Sequence, residues 1–162
     1  MKIAWQKMVP ELDVSDFSAS LEFYTDILGF EILYARHDPE FVYLEQEHLQ
    51  FMLMQRGEDW LGGTLERPYG RGVNLQMELP DIQPIYKRLL ENDVALQREI
   101  KDTWREAGDM LTGQREFWVQ DPDGYLLRFC QPLGDKPLVP RTRRFNLLLQ
   151  SRGDLIGFQW AV

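Results

Sequence analysis

Few side chains in this sequence suggest chemistry on sight. There are two histidines and one cysteine. His37 lies in a His-Asp-Pro turn and His48 opens a strand beside a turn, so both are expected at the surface. Neither supports a Ser-His-Asp or Cys-His arrangement, in which a base must lie within hydrogen-bond reach of its nucleophile. Cys130 lies inside an apolar run. A reactive thiolate needs an electropositive neighbourhood, so a buried structural thiol is expected instead. Glu11, Glu45 and Glu116 fall on strands and are available for general acid or base work, although isolated strand carboxylates are usually solvated or paired. Leu61-Gly62-Gly63 and Tyr69-Gly70-Arg71-Gly72 match neither dinucleotide nor phosphate-loop spacing.

The residue that demands an explanation is Arg128. It falls within GQREFWVQDPDGYLLRFCQ, residues 113 to 131. Two β-branched and aromatic runs, Glu116–Gln120 and Tyr125–Gln131, are joined there by Asp-Pro-Asp-Gly, a preset φ followed by a tolerant glycine. This spacing predicts a hairpin. Strand alternation puts Leu126, Arg128 and Cys130 on one face and Leu127, Phe129 and Gln131 on the other. An arginine there either lays its stem along the sheet with its head in water or points into a cleft, where its charge must be paired or used. Glu11 is a candidate partner, and a ligand carboxylate, phosphate or amide oxygen could take its place.

The elements that must position these residues recur in order. Lys7–Val14 reads as a strand, followed by a helix from Phe17 to Leu28 capped at Ser15-Asp16 and ended by Gly29. Strands Phe30–Arg36, Phe41–Gln46 and His48–Gln55 complete βαβββ. After a glycine-rich connector, Val73–Leu79 begins the order again. Asp81 caps a helix from Ile82 to Asn92, with Pro84 tolerated in its first turn; Val94–Ile100 and the hairpin follow. Asp16 and Asp81 are 65 residues apart (81 − 16), each between a strand and an amphipathic helix, which marks an internal duplication. From Pro132 the chain changes to a linker-like LGDKPLVP and a mixed basic and apolar tail.

With 18 Lys and Arg against 26 Asp and Glu, the net charge is −8, which repels a polyanionic backbone and argues against nucleic acid as partner. No run reaches the ~20 apolar residues of a membrane span. A lone cysteine forms no internal bridge and fits a reducing cytoplasm, so a soluble, cytoplasmic protein is expected.

The repeated unit, with LDVSDFSASLEFYTDILGFEI opening its first copy and REFWVQDPDGYLLRF closing its second, resembles the glyoxalase, bleomycin-resistance and extradiol-dioxygenase (vicinal oxygen chelate) superfamily. The resemblance implies an α+β fold of two βαβββ modules whose curled mixed sheets form a ligand cleft. The domain would span residues 7–131, with modules 7–55 and 73–131, connector 56–72 and a C-terminal extension 132–162. It also implies where the superfamily's metal enzymes carry ligands. Those positions fall on Val9, Gln50 (Phe51 or Met52 if the register slips), Val73 and Arg128, none a carboxylate or an imidazole, so no metal or other cofactor is expected.

What the resemblance leaves is a cleft of soft side chains: Phe51, Met52, Leu53 and Met54 on one strand, Met77 on another, and Trp60, Trp104 and Trp118 on or beside loops at its mouth. The expected ligand-binding residues are Val9, Glu11, Gln50, Met52, Trp60, Val73, Trp104, Trp118 and Arg128. The closest branch implied is the metal-free bleomycin-resistance type. The expected function is sequestration of a small or medium amphipathic molecule, a cationic drug among the candidates, by a homodimer with shared clefts. The alternative is a superfamily enzyme, a glyoxalase-type lyase or isomerase or a dioxygenase, with a relocated metal. A third reading has the trough filled by the chain's own tail, through Phe145, Leu147–Leu149 and Trp160.

Overall fold

The computed structural model describes residues 5–57 and 64–138. The order is β1 (Glu11–Val14), α1 (Phe17–Glu22, continued by a wider π-type turn over Phe23–Leu28), β2 (Glu31–His37), β3 (Glu40–Gln46) and β4 (Leu49–Gln55). The second half repeats it as β5 (Asn74–Glu78), α2 (Gln83–Glu91), β6 (Leu96–Ala107), β7 (Met110–Gln120) and β8 (Leu126–Pro137). Two four-stranded sheets result, ordered β1-β4-β3-β2 and β5-β8-β7-β6. In each, the module's first strand runs parallel to its last and the remaining neighbours are antiparallel.

The helix signals act as expected from their chemistry. Asp16 accepts the Ala19 N–H at 3.0 Å as N-cap. Asp81 accepts Gln83 N–H at 2.9 Å, although the capping backbone belongs to Ile82. Gly29 ends the first helix at φ 88°, the left-handed region in which glycine is at ease. Arg88 of α2 reaches across the module boundary to that end, its Nε and Nη2 donating to the carbonyls of Ile27 (2.6 Å) and Leu28 (2.9 Å). A side chain on Gly29 would meet Arg88 Nη2 at 2.8 Å, so glycine is required there twice over.

One face of each sheet packs on the helices. Leu12, Val14, Val42, Leu44, Phe51 and Leu53 from the first sheet and Met77, Phe117, Val119, Leu127 and Phe129 from the second share a core with Tyr24, Leu28, Ile85 and Leu89. Phe117 and Phe129 stack at 5.1 Å as a direct cross-strand pair; burying each such ring contributes roughly 2 to 3 kcal/mol. Leu53 is therefore core rather than cleft, whereas Phe51 and Met77 belong to the core and also border the cleft at the seam between the sheets. Of the methionine-rich strand, Met52 and Met54 face the other way and pack with Phe41 and Tyr43.

Three expectations on strand limits need correction. β1 begins at Glu11, not Lys7, which leaves Val9 before the strand. β6 runs on to Ala107 and β7 starts at Met110, so Trp104 lies within a strand rather than on a loop, while Trp118 lies in the strand expected over Glu116–Gln120. β8 continues to Pro137, past the boundary expected at residue 131, because a long β7 offers it a partner as far as Met110. Trp60 and the apolar tail residues Phe145, Leu147–Leu149 and Trp160 lie outside the described residues.

Candidate functional site

The Asp-Pro-Asp-Gly turn sets the register of the β7–β8 hairpin, and everything at the site follows from it. Asp121 Oδ1 accepts the backbone N–H of Asp123 (3.0 Å) and of Tyr125 (2.8 Å), and Gly124 takes φ 91°. The two aspartates also hold the first module. Asp123 accepts from Ser15 N, Ser15 Oγ and Arg67 Nη2, while Tyr24 Oη donates to Asp121 Oδ2. Counting back from the turn, Arg128 faces Trp118 and Cys130 faces Glu116, all on the face that the helices leave open.

Glu116 is the centre of that face. It is fully buried, and its Oε1 accepts from Arg105 Nη2 (2.9 Å), Arg98 Nη1 (3.3 Å) and Thr103 Oγ1 (3.3 Å). Its Oε2 accepts from Arg128 Nη2 (2.9 Å) and Trp118 Nε1 (3.4 Å). Burial alone pushes the carboxyl up, but the hydrogen bonds from Arg128, Trp118 and Arg105, with the charge of Arg105, outweigh it and leave the pKa at about 2. The Trp118 ring lies between two guanidinium groups, Arg98 at 4.7 Å and Arg128 at 5.1 Å from its centroid. Cys130 is buried; desolvation, then the Glu116 charge, push its thiol up to about 11, so it stays a protonated structural thiol.

The expected pairing of Arg128 with Glu11 is thus corrected. Glu11 belongs to the other sheet, whereas Glu116 stands on the strand next to Arg128 and one step diagonal to it. The position expected at Val73 is also off by one. Val73 is 58% exposed and precedes the strand; the side chain that meets Arg128 is Asn74, whose Oδ1 accepts from Nη1 at 3.2 Å. A slip of one residue exchanges the two faces of a strand. The duplication gives the same result, since Val9 plus 65 is Asn74, and the pair Glu11–Met52 in the first sheet corresponds to Gln76–Arg128 in the second.

On the open face of the first sheet, Gln50 Oε1 accepts Gln6 N–H (2.9 Å) and Tyr43 Oη (2.8 Å). Met52 lies opposite Tyr43 and Glu11, and Val9 packs with it beside Phe41 and Tyr43. Trp5, Tyr34 and Tyr43 extend the aromatic surface, the last two stacked at 5.4 Å. A cleft of about 360 Å³ lies at the seam between the sheets, with Met8, Leu49 and Met77 as apolar wall and Gln50, Asn74 and Gln76 as amide rim. His48, exposed as expected, is part of that rim. Since Asn74 also bonds Arg128, the cleft adjoins the arginine cluster. Trp104 is not brought there. It pairs with Gly113, three residues from Glu116 along β7 and hence on the opposite face. Sequence reasoning also missed Arg98, Arg105 and Thr103, which lie on a strand expected to stop at Ile100.

Residues 10–129 match the family described as the Glyoxalase/Bleomycin resistance protein/Dioxygenase superfamily. The chain belongs to this superfamily. A bleomycin resistance protein of Geobacillus stearothermophilus is 24% identical over 135 residues, covering 77% of this chain and 96% of that protein. A lactoylglutathione lyase of Haemophilus influenzae is 28% identical over 131 residues, covering 74% and 87%. A crystal structure of a protein of unknown function from Agrobacterium tumefaciens aligns with a TM-score of 0.59 at 27% identity, over 80% of this chain and 98% of that one.

The superfamily's metal enzymes raise the question whether these residues fit a cation. They do not. Val9 offers hydrocarbon, Gln50 Oε1 already accepts two donors, Asn74 Oδ1 takes a guanidinium N–H, and Arg128 is itself a cation. The nearby carboxylate, Glu116, is surrounded by three arginines. Among the described residues no group of three or more His, Cys, Asp or Glu converges.

Proposed function

We propose that this superfamily member binds a small or medium amphipathic molecule without a metal and holds it unchanged. The observation that carries the reading is Arg128, a fixed guanidinium paired with Glu116 at 2.9 Å, at the last-strand position where the resemblance implies a carboxylate ligand in the metal enzymes. The acid-base alternative is weakened by the same contact. A carboxylate with a pKa of about 2 is a poor proton acceptor at neutral pH and is never protonated to act as an acid. The seam cleft, apolar on its walls and amide-bearing at its rim, suits an amphipathic ligand. The residues carrying the reading are Gln50, Met52, Asn74, Trp118 and Arg128, with Glu11 at the edge.

A homodimer belongs to the same reading, supported by the exposed apolar side chains Trp5, Ile32 and Tyr34 around the edge strand β2. Cytoplasmic residence is supported by the single cysteine, and the net charge of −8 supports a partner other than nucleic acid. Among the described residues, no helix is long and apolar enough to cross a membrane.

The similarity to lactoylglutathione lyases favours an enzyme as the second reading. Elemental analysis of protein purified without chelator, paired with a tryptophan-fluorescence ligand screen, separates the two. Quenching by one ligand class without stoichiometric metal is the expected result. One zinc, nickel, iron or manganese per chain, or turnover of a glutathione hemithioacetal, would instead establish the enzyme.

A further inference from the structure

Three arginines surround one carboxylate where one would neutralise it. Arg98, Arg105 and Arg128 contribute +3 and Glu116 −1, so the cluster carries +2 in a protein whose net charge is −8. On the same face, Lys101 opposite Glu116 and Glu78 opposite Cys130 cancel each other, and Asp135 lies further out, opposite Thr112. The Glu116 oxygens take one nitrogen from each of the three arginines. Arg105 Nη1 is tied to Gln114 and Arg128 Nη1 to Asn74. Arg128 Nε, however, is buried and meets no acceptor among the described residues, an arrangement that costs free energy unless something supplies one.

Three guanidinium groups around one carboxylate repel one another unless a further anion joins them, and the fixed fork of a guanidinium is suited to planar and tetrahedral oxyanions. Around Trp118 the two flanking guanidinium groups form a partly desolvated cationic wall beside an aromatic face, and Asn74 links that wall to the amphipathic seam cleft.

We infer that the ligand is an anion: an aromatic or otherwise apolar body in the seam cleft, with an oxyanion head, carboxylate or phosphate, held by Arg98 and Arg128 beside Trp118. The inference rests on the binding reading above and specifies its chemical class, turning the expectation away from a cationic drug.

Isothermal titration of the full-length protein with four probes of one shape tests it: naphthylacetate, naphthyl phosphate, naphthylacetamide and naphthylmethylammonium. The expected result is that at least one anion binds tenfold or more tighter than the neutral amide, more weakly as salt is raised. The preferred anion then tells a carboxylate ligand from a phosphate one. Arg98→Gln, at a side chain still 30% exposed, should weaken that anion about tenfold with the fold kept, and Arg98→Lys should restore part of the loss. Arg128→Gln should weaken it at least as much, with circular dichroism reporting its fold. Equal affinity for amide and anions, or preference for the ammonium probe, would overturn the inference while leaving a binding protein. Binding of none of the four would remove the binding reading as well.

Discussion

Arg128 and Glu116 sit on neighbouring antiparallel strands two residues off direct register and so on the same face, and Nη2 of the first meets Oε2 of the second at 2.9 Å. The arginine thereby closes a ring of donors around a carboxylate with no exposed surface, two of whose other cations, Arg98 and Arg105, reach it from β6. The second sheet's open face is thus organised by a charge pair.

Removing the negative member of that cluster should be costly. Glu116→Gln leaves three guanidinium groups facing one another across a buried amide, and breaking a buried ion pair from one side costs about 3 to 5 kcal/mol. Because Arg98 and Arg105 are partly exposed and gain water in compensation, about 3 kcal/mol is expected. Urea unfolding of Glu116→Gln beside wild type checks it; a loss under about 1 kcal/mol would mean that the cluster is not coupled to folding.

Two carboxylates give stability opposite pH dependences. Glu116, held at about 2 against an ordinary 4.5, stabilises fully above pH 4.5, and that contribution disappears as pH falls toward 2. Asp121 runs the other way: burial pushes it up to about 6 despite the hydrogen bonds from Tyr125, Tyr24 and Asp123. Its folded form holds the proton more tightly than the unfolded chain, so its contribution is complete below pH 3.8 and is lost as pH rises to about 6. Wild type minus Asp121→Asn stability, measured by urea unfolding between pH 3 and 7, should therefore fall by about 3 kcal/mol across that window. A flat difference would show that the buried aspartate does not change protonation there.

Much of this was legible in the sequence and some was not, for physical reasons. The hairpin, the Asp16 cap, the Gly29 stop and the 65-residue duplication follow from local chemistry, and local chemistry holds in the fold. The partner of Arg128 was within reach too. Counting outward from Asp121–Gly124 pairs Gln120 with Leu126, Trp118 with Arg128 and Glu116 with Cys130, which puts Glu116 beside the arginine. The length of β6 was harder to read. Lys101-Asp102-Thr103-Trp104-Arg105 has the polarity of a loop and is a strand only because β7 pairs with it and Glu116 orders Arg105. Val73 against Asn74 turned on a one-residue boundary that only the parallel register with β8 fixes.

Cys130 should behave as an inert thiol. With its side chain buried and its pKa at about 11, reaction with a disulfide reagent at pH 7 should be negligible in native protein and stoichiometric in denaturant. Rapid labelling of the native form, followed by absorbance, would mean that the strand opens or that the thiolate is populated.

The junction between modules rests on a fit that a single methyl group should disturb. Gly29 combines φ 88° with Arg88 Nη2 at 2.8 Å from where a Cβ would lie, and that guanidinium is the group that satisfies the Ile27 and Leu28 carbonyls. Gly29→Ala must therefore strain the left-handed residue, at roughly 1 kcal/mol, and displace the arginine, at roughly another 1 kcal/mol per hydrogen bond weakened. Arg88→Met loses the second effect and keeps the first residue unstrained, while its alkyl chain preserves packing. The double variant should then be less destabilised than the sum of the two, because the displaced contact is lost only once. Urea unfolding of the three variants supplies the cycle. Strict additivity would show that the arginine and the helix end are not energetically joined, and that the two modules are held together chiefly by the Asp121 and Asp123 contacts to Tyr24 and Ser15 and by the shared core.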